Sequence, residues 1–459
     1  MKHRRLMFIL GWGLLILTAW AQESPRTLTL RECIRIALEN NPTVRRFENL
    51  KRIADHNVKS SYSTILPTVS TSASASRFRA GDATTQADVP ITVLDTVTGQ
   101  PRIIGFRNQE VTNPGFQRNN FSAGLSIDQT IFDGGNWWNT IRQSKAERDA
   151  ALYDLFVQVN QVIKEVAQAY LDLLKQERLL EVYRLAVQRS EDNLERSQKM
   201  YDLGSVAKVD VFRARVNLGN DRIAYLNQKN VVQQSRRTLN ITLGFEPDAP
   251  IQIDTSLQIV HRLPSLDEMV NIAYQHQPEL RRREKDIRAK ELGVSLAKSS
   301  FFPRISAFFS YSRNNTQLEK IYTDINKNWN VSIGVRASLN LFNGFQDQVR
   351  VQNSKINVRN AQIDLENYKR TLKSEIARLY ERYQSLVEII EIRRDNLEAA
   401  REEFRLATER YRLGAGTSLD VREAQINLTD AERLLVDAEY DLIMTYAELQ
   451  EAIGNIREA

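Results

Sequence analysis

Between Asn136 and Leu203 the chain runs 68 residues without a glycine or a proline, and between Phe345 and Leu413 it does so for 69. As α-helix, at about 1.5 Å per residue, each run reaches roughly 100 Å. A globular domain has no use for such a helix, so a coiled bundle or an extended tube is implied. The apolar spacing agrees. Leu152, Leu155, Val159, Val162, Val166, Ala169 and Leu173 step by three and four, as do Leu372, Ile376, Leu379, Tyr383, Leu386 and Ile390. A seam of period 3.5 is coiled-coil packing. One helix lying on an ordinary core would account for the stripe but not for the length.

Both runs stop in the same way. YDLGSVAKVD (Tyr201–Asp210) and YRLGAGTSLD (Tyr411–Asp420) lie 210 residues apart and share Tyr-x-Leu-Gly with a later Asp. The repetition extends further, and a duplicated chain is implied. Thr29–Glu32 (TLRE) and Ala37–Pro42 (ALENNP) return 236 residues later as Ser265–Glu268 (SLDE) and Ala273–Pro278 (AYQHQP). Leu66-Pro67 returns as Phe302-Pro303 at the same offset, whereas Ile131–Gly134 (IFDG) returns as Leu341–Gly344 (LFNG) at 210. The first copy therefore holds 236 − 210 = 26 extra residues, all between Pro67 and Phe132. The stretch Gly81–Gln117, rich in Asp, Thr, Pro and Gly, is expected to carry them as a long loop. Each copy then reads as short helix, strand, loop, strand, very long helix, break, helix. The expected divisions are a first repeat over 22–243, a linker over 244–264 and a second repeat over 265–459.

Strands are expected at about 62–79, 116–133, 303–313 and 329–342. Val331, Ile333, Val335, Ala337, Leu339 and Leu341 alternate with Ser332, Gly334, Arg336, Ser338 and Asn340. Phe121 to Asp128 and Ile305 to Tyr311 repeat the pattern, and Val69 to Ala75 does so more weakly. One apolar and one polar face over about ten residues fits a transmembrane β-barrel, and equally a half-buried soluble sheet. Four strands cannot close a barrel, because open edges in lipid leave backbone groups unpaired. Either the sheet is soluble, or several chains pool strands; three chains would give twelve.

Composition narrows the function. The 63 basic and 57 acidic residues leave a net charge of +6 and sit mostly in helical segments, which reads as solvated helix faces rather than a nucleic-acid surface. Cys33 is the only cysteine, and His3, His56, His261 and His276 are the only histidines. No intramolecular disulfide, histidine-rich metal site, nucleophile elbow or phosphate-cradling loop can be assembled from them. An enzyme, a cofactor and a resident metal are not expected. Lys2, His3, Arg4 and Arg5 precede an apolar run from Leu6 to Trp20, and Ala19-Trp20-Ala21 is a small-x-small site. A secretory leader over 1–21, cut after Ala21, is predicted. Cys33 lies too far from that point to be a lipidated first residue.

With these residues in place, the chain resembles the outer membrane efflux proteins, the TolC family. The resemblance spans the mature chain. It rests on Cys33–Pro42 (CIRIALENNP), the Leu-Pro before the first strand, the Phe-x-Gly junctions at Phe132 and Phe342, and both Tyr-x-Leu-Gly breaks. It implies a mainly α protein with a transmembrane β part. Three copies would form a twelve-stranded β-barrel in the outer membrane, continued by a twelve-helix α-barrel tunnel in the periplasm. The implied function is a passive exit duct of a tripartite efflux or type I secretion system. Its implied partners are a periplasmic adaptor, an inner-membrane pump of RND, ABC or MFS type, and outer-membrane lipid.

On this resemblance the two breaks become the periplasmic tips of two helical hairpins, at 203–210 and 413–420. Tyr201, Asp210, Tyr411, Asp420 and Glu423 are the implied entrance residues, with Asp420 and Glu423 sharing a helix face. Threefold symmetry would turn these acids into rings of like charge that favour cations. Thr417 with Asp420 also reads as a helix-start signal. Val209 and Gly416 stand where some relatives carry a latch, which implies a loosely tied resting state. Gly204, Val206, Gly414 and Ala415 are small enough for close approach by an adaptor, and the same residues read as simple turn chemistry. Trp137 and Trp138 follow the first junction, where an aromatic belt or ordinary packing at a helix start would place them. Arg336, on the polar strand face, is expected to point into the lumen. A periplasmic adaptor or a coiled-coil scaffold stays open as an alternative. An adaptor carries one hairpin set into compact β modules, however, and a scaffold leaves the strands unexplained.

Overall fold

A computed structural model describes residues 27–255 and 263–456. The predicted leader, 1–21, lies outside the described residues. In chain order the elements are β1 (Thr27–Leu28), α1 (Leu30–Asn40), α2 (Pro42–Ser61), a 3-10 turn (Tyr62–Ile65), β2 (Thr68–Arg79), β3 (Ala83–Leu94), β4 (Pro101–Asn113), β5 (Gln117–Phe132), α3 (Asn136–Asp202) and α4 (Lys208–Leu243). There follow β6 (Gln252–Ile253), α5 (Leu266–His276), α6 (Pro278–Ser299), β7 (Arg304–Asn315), α7 (Lys320–Thr323), β8 (Trp329–Ser338), α8 (Gln346–Arg412) and α9 (Ser418–Ile453). The two glycine- and proline-free runs are single helices of 67 residues each. The chain divides into two compact units. Among the described residues, one is built from 27–49, 154–255, 263–280 and 368–456, the other from Leu50–Tyr153 and Arg281–Asn367.

The first unit is helical, and duplication is visible in its details. α1 opens with Thr29, whose hydroxyl accepts from the Glu32 N–H while the Glu32 carboxylate accepts from the Thr29 N–H. Ser265 and Glu268 make the same reciprocal pair at the start of α5. Each arrangement satisfies two of the donors that a helix N-terminus leaves orphaned. α4 and α9 end alike, on Gly244 and Gly454 with left-handed φ of 81° and 83°. The short helices dock on those ends alike too. The Asn41 amide donates to the Thr242 carbonyl, and the Gln277 amide to that of Ala452.

The core follows the expected seam of α8 and that of α3 from Val162 onward, with Leu152, Leu155 and Val159 only half-buried. Val162, Val166 and Leu173 of α3 are buried with Leu239 and Leu243 of α4 and with Cys33 and Ala37 of α1. Leu372, Ile376, Leu379, Tyr383, Leu386 and Ile390 form a continuous buried row on α8. At about 2–5 kcal/mol for truncating one such side chain to alanine, these rows hold the helices together. β1 and β6 add a two-residue parallel ladder, and the Tyr170 hydroxyl donates to the Asp254 carbonyl at 2.7 Å beside it.

Cys33 is fully buried in this cluster, and burial pushes its thiol up to about 12. Only a thiolate reacts readily. Native protein at pH 8 should therefore take up no maleimide, and unfolded protein should take up one equivalent per chain. Labelling followed by intact mass measurement checks this.

The second unit holds a four-stranded antiparallel sheet in the order β2-β5-β7-β8, with β2 and β8 at its edges. Register puts Ser70, Ser74, Ser126, Ser310 and Ser332 on one face, with Ser70–Ser126 and Ser74–Ser122 in hydroxyl contact at 2.7 Å. Val69, Ile127, Phe309 and Ile333 occupy the opposite face. Arg336 lies on the serine face, its guanidinium 5.3 Å from the centre of the Phe308 ring.

The extra stretch of the first copy is a correction to the sequence reading. Gly81–Gln117 holds an antiparallel hairpin, β3 with β4, where a loop was expected. Val89, Ile91 and Val93 alternate as a strand should. Pro90, Gly99, Pro101 and Gly105 gave the stretch its loop-like composition, while a register shift that leaves Ile104 without a partner position broke the alternation of β4. The pairing prevails because proline and glycine are tolerated on an edge strand and at a bulge.

Candidate functional site

The helical unit carries both hairpin tips. α3 and α8 end in the same hydrogen-bond pattern. The Gly204 N–H donates to Tyr201 and the Ser205 N–H to Met200; the Gly414 N–H donates to Tyr411 and the Ala415 N–H to Arg410. Gly204 and Gly414 hold φ of 75° and 74°, the left-handed position that glycine takes without steric cost. A common sequence thus makes a common turn.

The returning helices start differently. Thr417 caps α9, its hydroxyl accepting from the Asp420 N–H at 3.2 Å while the Asp420 carboxylate accepts from the Thr417 N–H at 2.9 Å. These bonds stabilise the ionised form and hold the Asp420 carboxyl below the usual carboxylate range. α4 has Ala207 at the same position, with no side-chain cap. Freed from that task, Asp210 accepts from the Ser418 hydroxyl at 2.8 Å, and so joins one tip to the other.

Asp420, Glu423, Gly204, Gly414 and Ala415 are exposed, and Val206 is half-buried. Tyr201 is partly exposed, whereas Tyr411 is buried with its hydroxyl 3.4 Å from that of Ser197. A cavity of about 350 Å³ opens beside Asp210 and Ser418, walled by Val209, Phe212, Val216 and Leu419. Trp137 and Trp138 stack at 4.5 Å in the sheet-bearing unit, after Gly134 and Gly135, with the Trp137 N–H donating to Asp133.

One cluster was not legible in the sequence. Asp221 of α4 receives both outer nitrogens of Arg422 at 2.6 and 3.1 Å, the Gln425 amide at 3.3 Å and the Ser190 hydroxyl. Gln425 also donates to the Ser190 hydroxyl and the Ala186 carbonyl, so α3, α4 and α9 meet in one polar knot. Arg189 of α3 and Glu432 of α9 make a further ion pair at 2.8 Å.

Two helical hairpins per chain, each led by a pair of strands with one serine-rich and one apolar face, are the build of a channel-forming outer-membrane protein rather than of a single-hairpin adaptor. The model of the outer membrane efflux protein family matches residues 33–244 and 269–455, and the chain belongs to that family. It is 24% identical over 364 residues to the outer membrane protein TolC of Salmonella enteritidis, covering 75% of this chain and 71% of that one. Among solved structures, VceC, an outer membrane protein of Vibrio cholerae, superposes with a TM-score of 0.74 at 18% identity, over 93% of this chain and 96% of VceC. The CmeC outer membrane channel of Campylobacter jejuni gives 0.74 at 18% identity, over 99% and 94%. As a member of the family the chain is an outer-membrane efflux channel, a passive conduit and not an enzyme.

Proposed function

We propose that three copies pool their sheets into one twelve-stranded barrel, and that the helical hairpins assemble as a periplasmic tunnel whose mouth is formed by the 203–210 and 413–420 tips. The repeats would occupy 22–243 and 265–459, joined by 244–264. A periplasmic adaptor would dock at the tips and connect the duct to an inner-membrane pump. One observation carries this reading: among the described residues the four-stranded sheet ends in two unpaired edges, β2 and β8, and it keeps Val69, Ile333 and Val335 exposed on its apolar face. Bare edges and bare apolar side chains are both untenable in a lone chain. Pairing β8 of one copy with β2 of the next inside a bilayer removes both faults. Outer-membrane fractions should yield trimers that need detergent to dissolve and heat to dissociate; a freely soluble monomer would overturn the proposal.

Asp420 and Glu423 are exposed on one face of α9 at the tip. In a trimer they give rings of negative charge at the mouth. In planar bilayers, replacing both with alanine should lower cation selectivity and weaken block by divalent cations, and unchanged reversal potentials would sink the ring. Because its carboxyl sits below the ordinary range, Asp420 keeps its charge, and the capping it provides, to lower pH than a free aspartate. Both are lost only as pH falls through that depressed value. Gly204, Val206, Gly414 and Ala415 are the proposed adaptor contacts. Cysteines there should cross-link to the adaptor, and absence of product from both tips would count against docking.

A further inference from the structure

The first β-hairpin is longer than a bilayer requires. In β2–β5, Thr68 faces Asp128 and Arg79 faces Gln117. The ladder then passes through Ala80 and Phe116, which exchange backbone hydrogen bonds of 2.9 and 3.1 Å, and resumes with Ala83 opposite Asn113. The register is unchanged as far as Ile91 opposite Gly105. The two hairpins are therefore one ribbon with a short break. Gly115 is required at that break, because a Cβ there would lie 2.5 Å from the Ala80 carbonyl oxygen.

The 12 residues of β2 already exceed the 9–11 that a tilted strand needs to cross a bilayer. At about 3.3 Å per residue, β3 projects roughly a further 40 Å. Neither edge of this extension is paired with another strand among the described residues.

Its distal half is apolar and bare: Leu94, Ile104 and Phe106 are about two-thirds exposed, and Val97 at the turn is 90% exposed. A lone two-stranded ribbon is marginal in water, and a contiguous apolar end marks a contact surface. The turn is nonetheless well formed. The Asp95 carboxylate accepts from the Val97 and Thr98 N–H groups, and Gly99 takes a φ of 63°. Cross-strand partners share a face. Register thus puts Arg102 and Arg107 beside Val89, Ile91 and Val93 on one face, and Asp88 and Glu110 beside Pro90, Phe106 and Leu94 on the other. Both faces carry apolar side chains towards the turn, and the charges that flank them are opposite in sign.

A surface whose two sides complement each other suits head-to-tail contact between copies, which closes into a ring when the rotation permits. We propose that the arms of three subunits pack on one another beyond the barrel, basic face to acidic face, as an apolar-cored turret over the outer mouth. This rests on the trimeric reading above.

Cys33 is the only native thiol and is buried, so cysteine scanning is clean. Full-length Val97→Cys in outer membranes, treated with a short bis-maleimide, should give covalent dimers and trimers that survive heating. Reversing Arg102 and Arg107 to Glu should cut that yield about ten-fold through like-charge repulsion, and adding Asp88→Arg with Glu110→Arg should restore it. A heat-modifiable trimer whose introduced thiol takes a monofunctional maleimide from outside yet never cross-links overturns the turret and leaves the channel standing. Cross-links only to a different surface protein also overturn it. Failure to form any trimer defeats the underlying reading instead.

Discussion

Replacing Asp221 with alanine should destabilise the helical unit by about 3–5 kcal/mol, the range expected when one partner of a buried ion pair is removed. Arg422 and Asp221 are only 17% and 15% exposed, so water does little to screen them. The variant leaves a guanidinium with no counter-charge, and Gln425 and Ser190 each lose an acceptor. Melting of the detergent-solubilised protein, followed by far-ultraviolet circular dichroism, measures the loss. Removing Arg422 together with Asp221, as Arg422→Leu/Asp221→Ala, should cost less than the sum of the single changes, because no bare charge remains. Arg184→Ala is the contrast. Its partner Glu181 and its own side chain are half exposed, and such a pair contributes about 0–1 kcal/mol. Since the Asp221 knot joins α4 to α9 near the proposed entrance, Asp221→Ala trimers should also conduct more than wild type in planar bilayers.

Gly134→Ala should be the most damaging single-methyl change at the strand–helix junctions. Gly134 holds a φ of 69°, and a Cβ there would lie 2.7 Å from both the Cβ of Phe302 and the carbonyl oxygen of Ser299. Left-handed backbone costs an alanine about 1–2 kcal/mol, and overpacking typically adds about 1–3. Gly344, its counterpart in the second repeat, has nearly the same φ, 65°, with nothing within 4 Å of the added atom. Gly344→Ala should thus suffer only the backbone cost. Comparing the two melting temperatures separates crowding from conformation, and equal losses would refute the steric account.

The long helices were legible because two conditions coincide over more than sixty residues: no glycine or proline, and an apolar step of three and four. The tips were legible for a local reason, since Leu203-Gly204 and Leu413-Gly414 encode a left-handed helix end whatever surrounds them. The Asp221 knot was hidden for the opposite reason. Ser190, Asp221, Arg422 and Gln425 each read as one more polar residue on a solvated face. Their meeting depends on how three helices rotate about one another, across more than two hundred residues of sequence. The β3–β4 ribbon was missed because turn-forming residues dominate its composition, although Val89, Ile91 and Val93 carried the alternation. That the sheet would have open edges followed from the count of four strands, but that β2 and β8 form them follows from pairing, which strand patterns alone do not specify.

A ribbon extended only at its far end leaves every partner beneath it untouched. The turn at 95–100 is therefore a natural splice point. In the proposed trimer, foreign peptides grafted there would stand clear of the barrel, and trimming residues two at a time, one from each arm, would shorten the ribbon stepwise while leaving the β2–β5 register intact.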